Sequence, residues 1–334
     1  SITWAGMIGV VSGMNEKGIC ITLNSAKSDI PFGARTPVSI IAREILQYAS
    51  NIDEAMAIAA SRESFVSESF LIGSAADHRS VVIEKSIDTT LLYNPDTNYI
   101  ILTNHFQSDY FQNTPLTKEN MENETSVYRH ERVQELIDDI DVFDHESAAY
   151  LLRNRNGKRG QYIGQGNEKA INQLIAHHSI IFKPEEKKFW VCSKDWGMSR
   201  YLCYDLDSVF SRAEKMGKYN LDDESLYIPE DSIWYKDLSS SGRNVFLKYK
   251  QILAEFQQAI KEEKSLENEE MLVNNFISNN PEFFIVYTNL GQYFQVLGQF
   301  DKAANYYNLA LSKEVSSASE REKINSWLEE CKEQ

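Results

Sequence analysis

The sequence predicts an α+β fold: two layers of antiparallel sheet packed between helices, followed by a small all-helical module. Three observations predict it. Short apolar runs separated by tight turns recur through the first two hundred residues, the mark of antiparallel strands. Helical patterns interrupt those runs in pairs rather than alternating with them strand by strand, which argues for stacked layers. From about residue 244 onward only helical periodicity remains.

The chain opens on a hairpin. Residues 7–12 form an apolar run with glycines, Asn15 and Gly18 supply turn chemistry, and residues 19–23 return as a strand that Asn24 ends. Residues 37–49 read as a helix. Thr36 suits the N-cap, Pro37 the first turn, and Ile41, Ile45 and Tyr48 recur at helical spacing. A shorter helix is expected at 53–61. Strands follow at 69–73, 81–84, 90–93 and 99–103, with turn residues at Asp77-His78-Arg79 and Asn94-Pro95-Asp96. Helices are expected at 126–137 and 146–154, and strands again at 172–182, 188–193 and 201–204. Runs such as Ser179-Ile180-Ile181-Phe182 need cover on both faces, which paired sheets enclosed by helices provide.

The character changes after residue 205. Residues 213–240 are polar and broken by Pro229, and read as a linker between a domain at 1–212 and a helical module at 241–334. Within the module Tyr287, Leu290, Gly291, Phe294, Gly298, Ala303, Tyr307 and Ala310 fall at the spacing of one tetratricopeptide repeat over 284–317. One repeat cannot bury its own face, so helices near 245–262 and 318–331 are expected to complete a bundle. Two uses stay open: a cap on the main domain, or a surface for a peptide, a protein partner or a second copy of the chain.

Composition narrows the function. The 334 residues carry 34 Lys and Arg against 49 Asp and Glu, a net charge of −15, which excludes a nucleic-acid partner that would need a basic stripe. No run of about 18 apolar residues spans a membrane, and no signal peptide is visible. The domain is expected to be soluble, in the cytoplasm or exported. The cysteines Cys20, Cys192, Cys203 and Cys331 show neither CxxC pairing nor metal-ligand spacing, and read as small buried hydrophobes. His105, His177 and His178 could cluster, but His177 and His178 are adjacent in an extended run and face opposite ways, so three convergent metal ligands are not expected. Gly164-Gln165-Gly166 has no phosphate-binding context and reads as a turn.

Residues 9–24, Gly-Val-Val-Ser-Gly-Met-Asn-Glu-Lys-Gly-Ile-Cys-Ile-Thr-Leu-Asn, resemble the N-terminal-nucleophile (Ntn) hydrolases of the penicillin acyltransferase, choloylglycine hydrolase and ceramidase-like amidase families. Two further segments support this in family order: Ile101-Leu102-Thr103-Asn104-His105-Phe106, and Ser126-Val127-Tyr128-Arg129-His130-Glu131-Arg132. Residues 176–182 and 189–191 resemble the late hairpin of the isopenicillin N acyltransferase branch. The resemblance covers roughly residues 4–210 and implies a four-layer αββα sandwich. It implies a cysteine-type hydrolase or acyltransferase acting on a linear, non-peptide amide or an acyl thioester, without metal or organic cofactor.

In such a mechanism an N-terminal cysteine freed by autocleavage attacks the carbonyl, and its own amine serves as base near neutral pH. The developing oxyanion needs donors already in place, each worth roughly 10²–10³ in rate. By resemblance Asn104 is the side-chain donor. Asn24 adds a backbone N–H and helps to hold the nucleophile's amine, and Arg129 lowers the thiol pKa and orients the substrate. The plainer alternatives are that both asparagines satisfy strand ends and that Arg129 pairs with an acid on its helix. In the family the nucleophile precedes the Asn24 position by several dozen residues, yet only 23 residues precede Asn24 here. Cys20 lies inside the second strand, and Ser1 leaves no room for the family's first hairpin. The resemblance therefore implies that the nucleophile strand lies elsewhere, on a fragment of the same protein, and that these residues alone are inactive. The competing class is a catalytically dead Ntn-like scaffold that recruits a peptide through its helical module.

Overall fold

The computed structural model describes residues 1–27, 33–212, 221–236 and 242–334, so residues 213–220 and 237–240 of the expected linker lie outside it. The first sheet is an antiparallel meander of β1 (Ser12–Met14), β2 (Ile19–Ser25), β3 (Glu68–Ser74), β4 (Arg79–Lys85) and β5 (Thr90–Tyr93), neighbours in sequence order. The helices α1 (Val38–Tyr48) and α2 (Ile52–Ala60) join β2 to β3. The β1–β2 turn is built by Asn15. Its Oδ1 accepts from the N–H groups of Lys17 and Ile19, and its Nδ2 donates to the carbonyls of Leu46 and Ala49, tying the turn to the end of α1. Thr36 is not the N-cap of α1. Pro37 takes that place without a side-chain cap.

Strand alternation sorts the residues of this sheet. Ile19, Ile21, Phe70, Ile72, Val81 and Ile83 bury one face against Ile41, Ile45 and Ala55 of α1 and α2. On the opposite face Met14 and Cys20 meet Phe182 and Phe189 of a second antiparallel sheet. That sheet has the order β6 (Ser179–Lys183), β7 (Lys188–Cys192), β8 (Leu202–Asp205). Its far face, with Ile181, Trp190 and Cys203, packs on Ala149 of a helix. Between the sheets in sequence lie α3 (Asp109–Gln112), α4 (Pro115–Asn123), α5 (Ser126–Asp138) and α6 (His145–Leu152), the last being the helix on the second sheet. The protein therefore has a mixed architecture of antiparallel sheets and helices.

Two expected strands are absent or short. Residues 99–103 form no strand, and their polar groups pair outside any ladder. Gln107 donates to the Ile101 carbonyl, and the Thr103 hydroxyl bonds the Ser126 carbonyl. The strand expected from residue 172 begins only at Ser179, after an irregular stretch in which Leu174 adopts φ +55°.

After β8 come α7 (Leu206–Arg212), α8 (Ser232–Lys236), α9 (Arg243–Glu262), α10 (Glu269–Asn279), α11 (Phe284–Val296), α12 (Phe300–Leu311) and α13 (Ala318–Lys332). Their aromatics build one core with Leu174, Met198 and Trp234. Gly291 lets α11 and α12 approach: a Cβ there would stand 2.5 Å from the Tyr307 ring. No helix of the described residues is long and apolar enough to cross a membrane.

Candidate active site

Ser12, Thr22, Asn24 and Leu71 fall on the face of the first sheet turned away from α1 and α2. They meet the start of β6, the irregular stretch before it and the beginning of α5 around a cleft of about 600 Å³. Its polar lining includes Asn24, Asn104, Arg129 and His178, and its apolar lining includes Leu102, Ile175 and Ile180. The three residues selected from the sequence thus line one cavity, although they come from a strand, a loop and a helix.

Asn104 is held at three points. Its peptide N–H donates to Ser126 Oγ at 2.7 Å, its Oδ1 accepts from the Arg129 guanidinium at 2.7 Å, and its Nδ2 donates to the Ser25 carbonyl at 3.0 Å. A guanidinium only donates, so the carbonyl end of the Asn104 amide must face Arg129. That choice places the NH₂ end at Ser25. One of its two protons is used by Ser25, and the second has no acceptor among the described residues.

Arg129 sits one turn after Ser126 on α5. Its Nε reaches Thr125 Oγ1 at 3.4 Å, and no carboxylate lies within ion-pair distance among the described residues. Burial pushes its pKa down, Glu168 opposing at longer range. The guanidinium nonetheless stays charged, because arginine begins so far above neutral pH. The plainer expectation, pairing with an acid on its own helix, does not hold. Arg132 makes that pair instead, with Glu135 at 2.8 Å.

Asn24 needs a correction. It does not end β2, which continues through Ser25, and it pairs with Ser69 of β3. The Leu23 N–H donates toward β1, to the Val11 carbonyl. Alternation therefore turns the Asn24 N–H toward β3, where the ladder uses it. What Asn24 offers the cleft is its side chain, which hydrogen-bonds no described residue.

No thiol lines the cleft. All four cysteines are buried. Burial pushes Cys20 up to about 12 and Cys203 up to about 11, and raises Cys192 and Cys331 as well. A thiol held protonated is a poor nucleophile. Ser1 lines a separate cleft with Met7, Arg43 and Gln47.

The histidines do not cluster as they might. His178 Nε2 lies 3.2 Å from Ser12 Oγ, and the His177 ring packs 6.4 Å from Trp4. His105 is buried behind Asn104, bonded through Nδ1 to Ser126 Oγ at 2.8 Å and facing the His130 ring at 5.9 Å. Burial, with His130 and Arg129 nearby, pushes His105 down to about 4. Sequence reading missed Ser126 and Thr103; a serine opening a helix was the one available signal.

The solved structures that resemble the chain include two single-residue variants of the conjugated bile acid hydrolase from Clostridium perfringens. Each is 14% identical, covering 66% of this chain and 77% of that one, with TM-scores of 0.39 and 0.41. No curated protein sequence matches the chain. Residues 1–196 match the profile of the family described as acyl-coenzyme A:6-aminopenicillanic acid acyl-transferase. With more than half of its length covered by that profile, the chain belongs to this family of Ntn enzymes.

Proposed function

We propose that the chain forms the oxyanion side of an Ntn hydrolase or acyltransferase that acts on a linear, non-peptide amide or an acyl thioester. The observation that carries this reading is the Asn104 amide, which lines the cleft and is oriented by Arg129 with one N–H left unused by the described residues. The nucleophile adds to the acyl carbonyl, and the oxygen that gains charge accepts from Asn104 Nδ2 and from the Asn24 side chain. The leaving amine or thiol takes a proton as it departs, and water or an acceptor amine resolves the acyl-enzyme. Arg129 keeps the local field positive while charge builds up. The apolar walls, Leu102, Ile175 and Ile180 among them, suit the acyl group. The nucleophile is contributed by a cysteine outside these residues, since none of the four thiols here is exposed or acidic enough. In this reading the sheets and helices stack as an αββα sandwich over residues 1–212. The helices from 241 onward form a tetratricopeptide-like module that serves as a cap.

The test uses the full-length gene product. Intact-mass spectrometry should show autocleavage exposing a cysteine, and Asn104→Ala should lower turnover by about two orders of magnitude. An unchanged rate removes Asn104 from the mechanism. The second reading, an inactive scaffold, is favoured by the buried state of all four thiols. It predicts no upstream cysteine and no labelling by a thiol-directed acyl probe.

A further inference from the structure

We infer that Ser126 and His105 are positioning residues that aim the Asn104 amide into the cleft; this rests on Asn104 being the oxyanion donor. A side-chain amide points only as well as its own backbone is held, and the Asn104 backbone belongs to no strand or helix. Its N–H is anchored instead by Ser126 Oγ at 2.7 Å. Ser126 is fixed in turn: its Oγ lies 2.8 Å from His105 Nδ1 and 2.9 Å from Thr103 Oγ1, and its carbonyl accepts from Thr103 Oγ1 at 3.1 Å. All three side chains are nine-tenths or more buried.

The groups flanking Asn104 in the chain, Thr103 and His105, thus close on one hydroxyl at the first turn of α5. The next turn of the same helix carries Arg129, which grips the Asn104 side chain. One rigid element therefore sets both the backbone and the amide plane of the donor. His105 is not among the residues that line the cleft, so its role is indirect. The charged and titratable groups facing it are His130 and Arg129, and their field together with burial keeps it a neutral partner at pH 7.

Displacement of a donor by about 1 Å is enough to cost about 10²-fold in rate. The experiment has two readouts. In the ¹⁵N-labelled 334-residue chain, hydrogen exchange at the Asn104 N–H should accelerate at least about tenfold in Ser126→Ala and in His105→Leu. His105→Gln, which keeps a hydrogen-bonding group, should stay near the parent, and the Ile21 and Ile83 amides should not change in any of the three. In the full-length gene product, with phenylacetyl-p-nitroanilide as probe, Ser126→Ala and His105→Leu should lower kcat with KM unchanged, and His105→Gln should restore most of it.

Unchanged Asn104 exchange in a folded Ser126→Ala or His105→Leu chain overturns the inference. So does a loss that His105→Gln fails to rescue, or one that falls on KM. If Ser126→Ala does not fold, the His105 pair decides alone. If Asn104→Ala is as active as the parent, the donor reading fails, while the exchange result still judges the anchor.

Discussion

At the scale of single residues, two buried titratable groups pull stability in opposite directions with pH. His105 is pushed down to about 4 in the fold. Between there and its ordinary value the unfolded chain binds more protons, so this group makes stability rise with pH. Glu68, 6% exposed and with no partner among the described residues, is pushed up by burial to about 8. Between its ordinary value and that point the folded chain binds more protons, so stability falls as pH rises. Glu68→Gln should therefore be more stable than the parent at pH 8, by up to about 4 kcal/mol, with the gain vanishing near pH 4. Urea midpoints at the two pH values check this, and an equal gain at both would contradict it. Asn104 and Arg129 were legible through the family resemblance, because from their chemistry alone a strand-end amide and a helix-borne ion pair were the plainer readings. Their anchors were not, because Ser126 looks in sequence like any hydroxyl at a helix start and Thr103 like any residue at a strand end. The N–H assigned to Asn24 depended on strand phase, which one residue's error at a strand end reverses.

At the scale of elements, long amphipathic helices were read within a residue or two. α5 and α9 are the clearest, since many periodic positions vote together. Elements whose stability comes from elsewhere were not. Residues 99–103 alternate like a strand, yet the Tyr99 and Ile101 carbonyls accept from the side chains of Thr97 and Gln107 rather than from a neighbouring strand. α10, with its polar Asn274, Asn275 and Asn279, owes its burial to Val273 and Phe276 against the aromatic core and was not anticipated. The α11–α12 contact was foreseen through Gly291 and Ala303, both buried. Gly291→Ala tests it. Helix propensity alone would favour the alanine by about 1 kcal/mol. The new methyl would stand 2.5 Å from the Tyr307 ring, and overpacking of that kind costs roughly 1–3 kcal/mol. The net expectation is destabilisation of up to about 2 kcal/mol, read as a lower Tm, and a raised Tm would show that the ring yields freely.

At the scale of the whole molecule, the sequence suggested a polar break and an appended module. The structure places contacts across that break. Gln165 N–H donates to Asn280 Oδ1 and Asn280 Nδ2 returns to the Gln165 carbonyl, both at 2.9 Å and both buried. Gly164, at φ +85°, admits Phe283 where any Cβ would clash, so the glycine turn read from sequence serves as a seat for the helices. Asn280→Ala would leave a buried N–H and C=O unpaired, at about 1–3 kcal/mol for each. Scanning calorimetry should show one transition shifted to lower temperature, whereas two separated transitions would mean that helices and sheets unfold independently. Such joining is invisible to local periodicity, because it lies between residues more than a hundred positions apart.

Trp196 lines the cleft and also packs edge-on against Trp234 and Phe246 of the helical core. A substitution on α9 therefore has a mechanical route to the wall that an acyl chain would touch. Ligand preference can then drift through changes in a helix that never meets the ligand, and a lineage adapting to a new substrate has more places to mutate than the cleft itself offers.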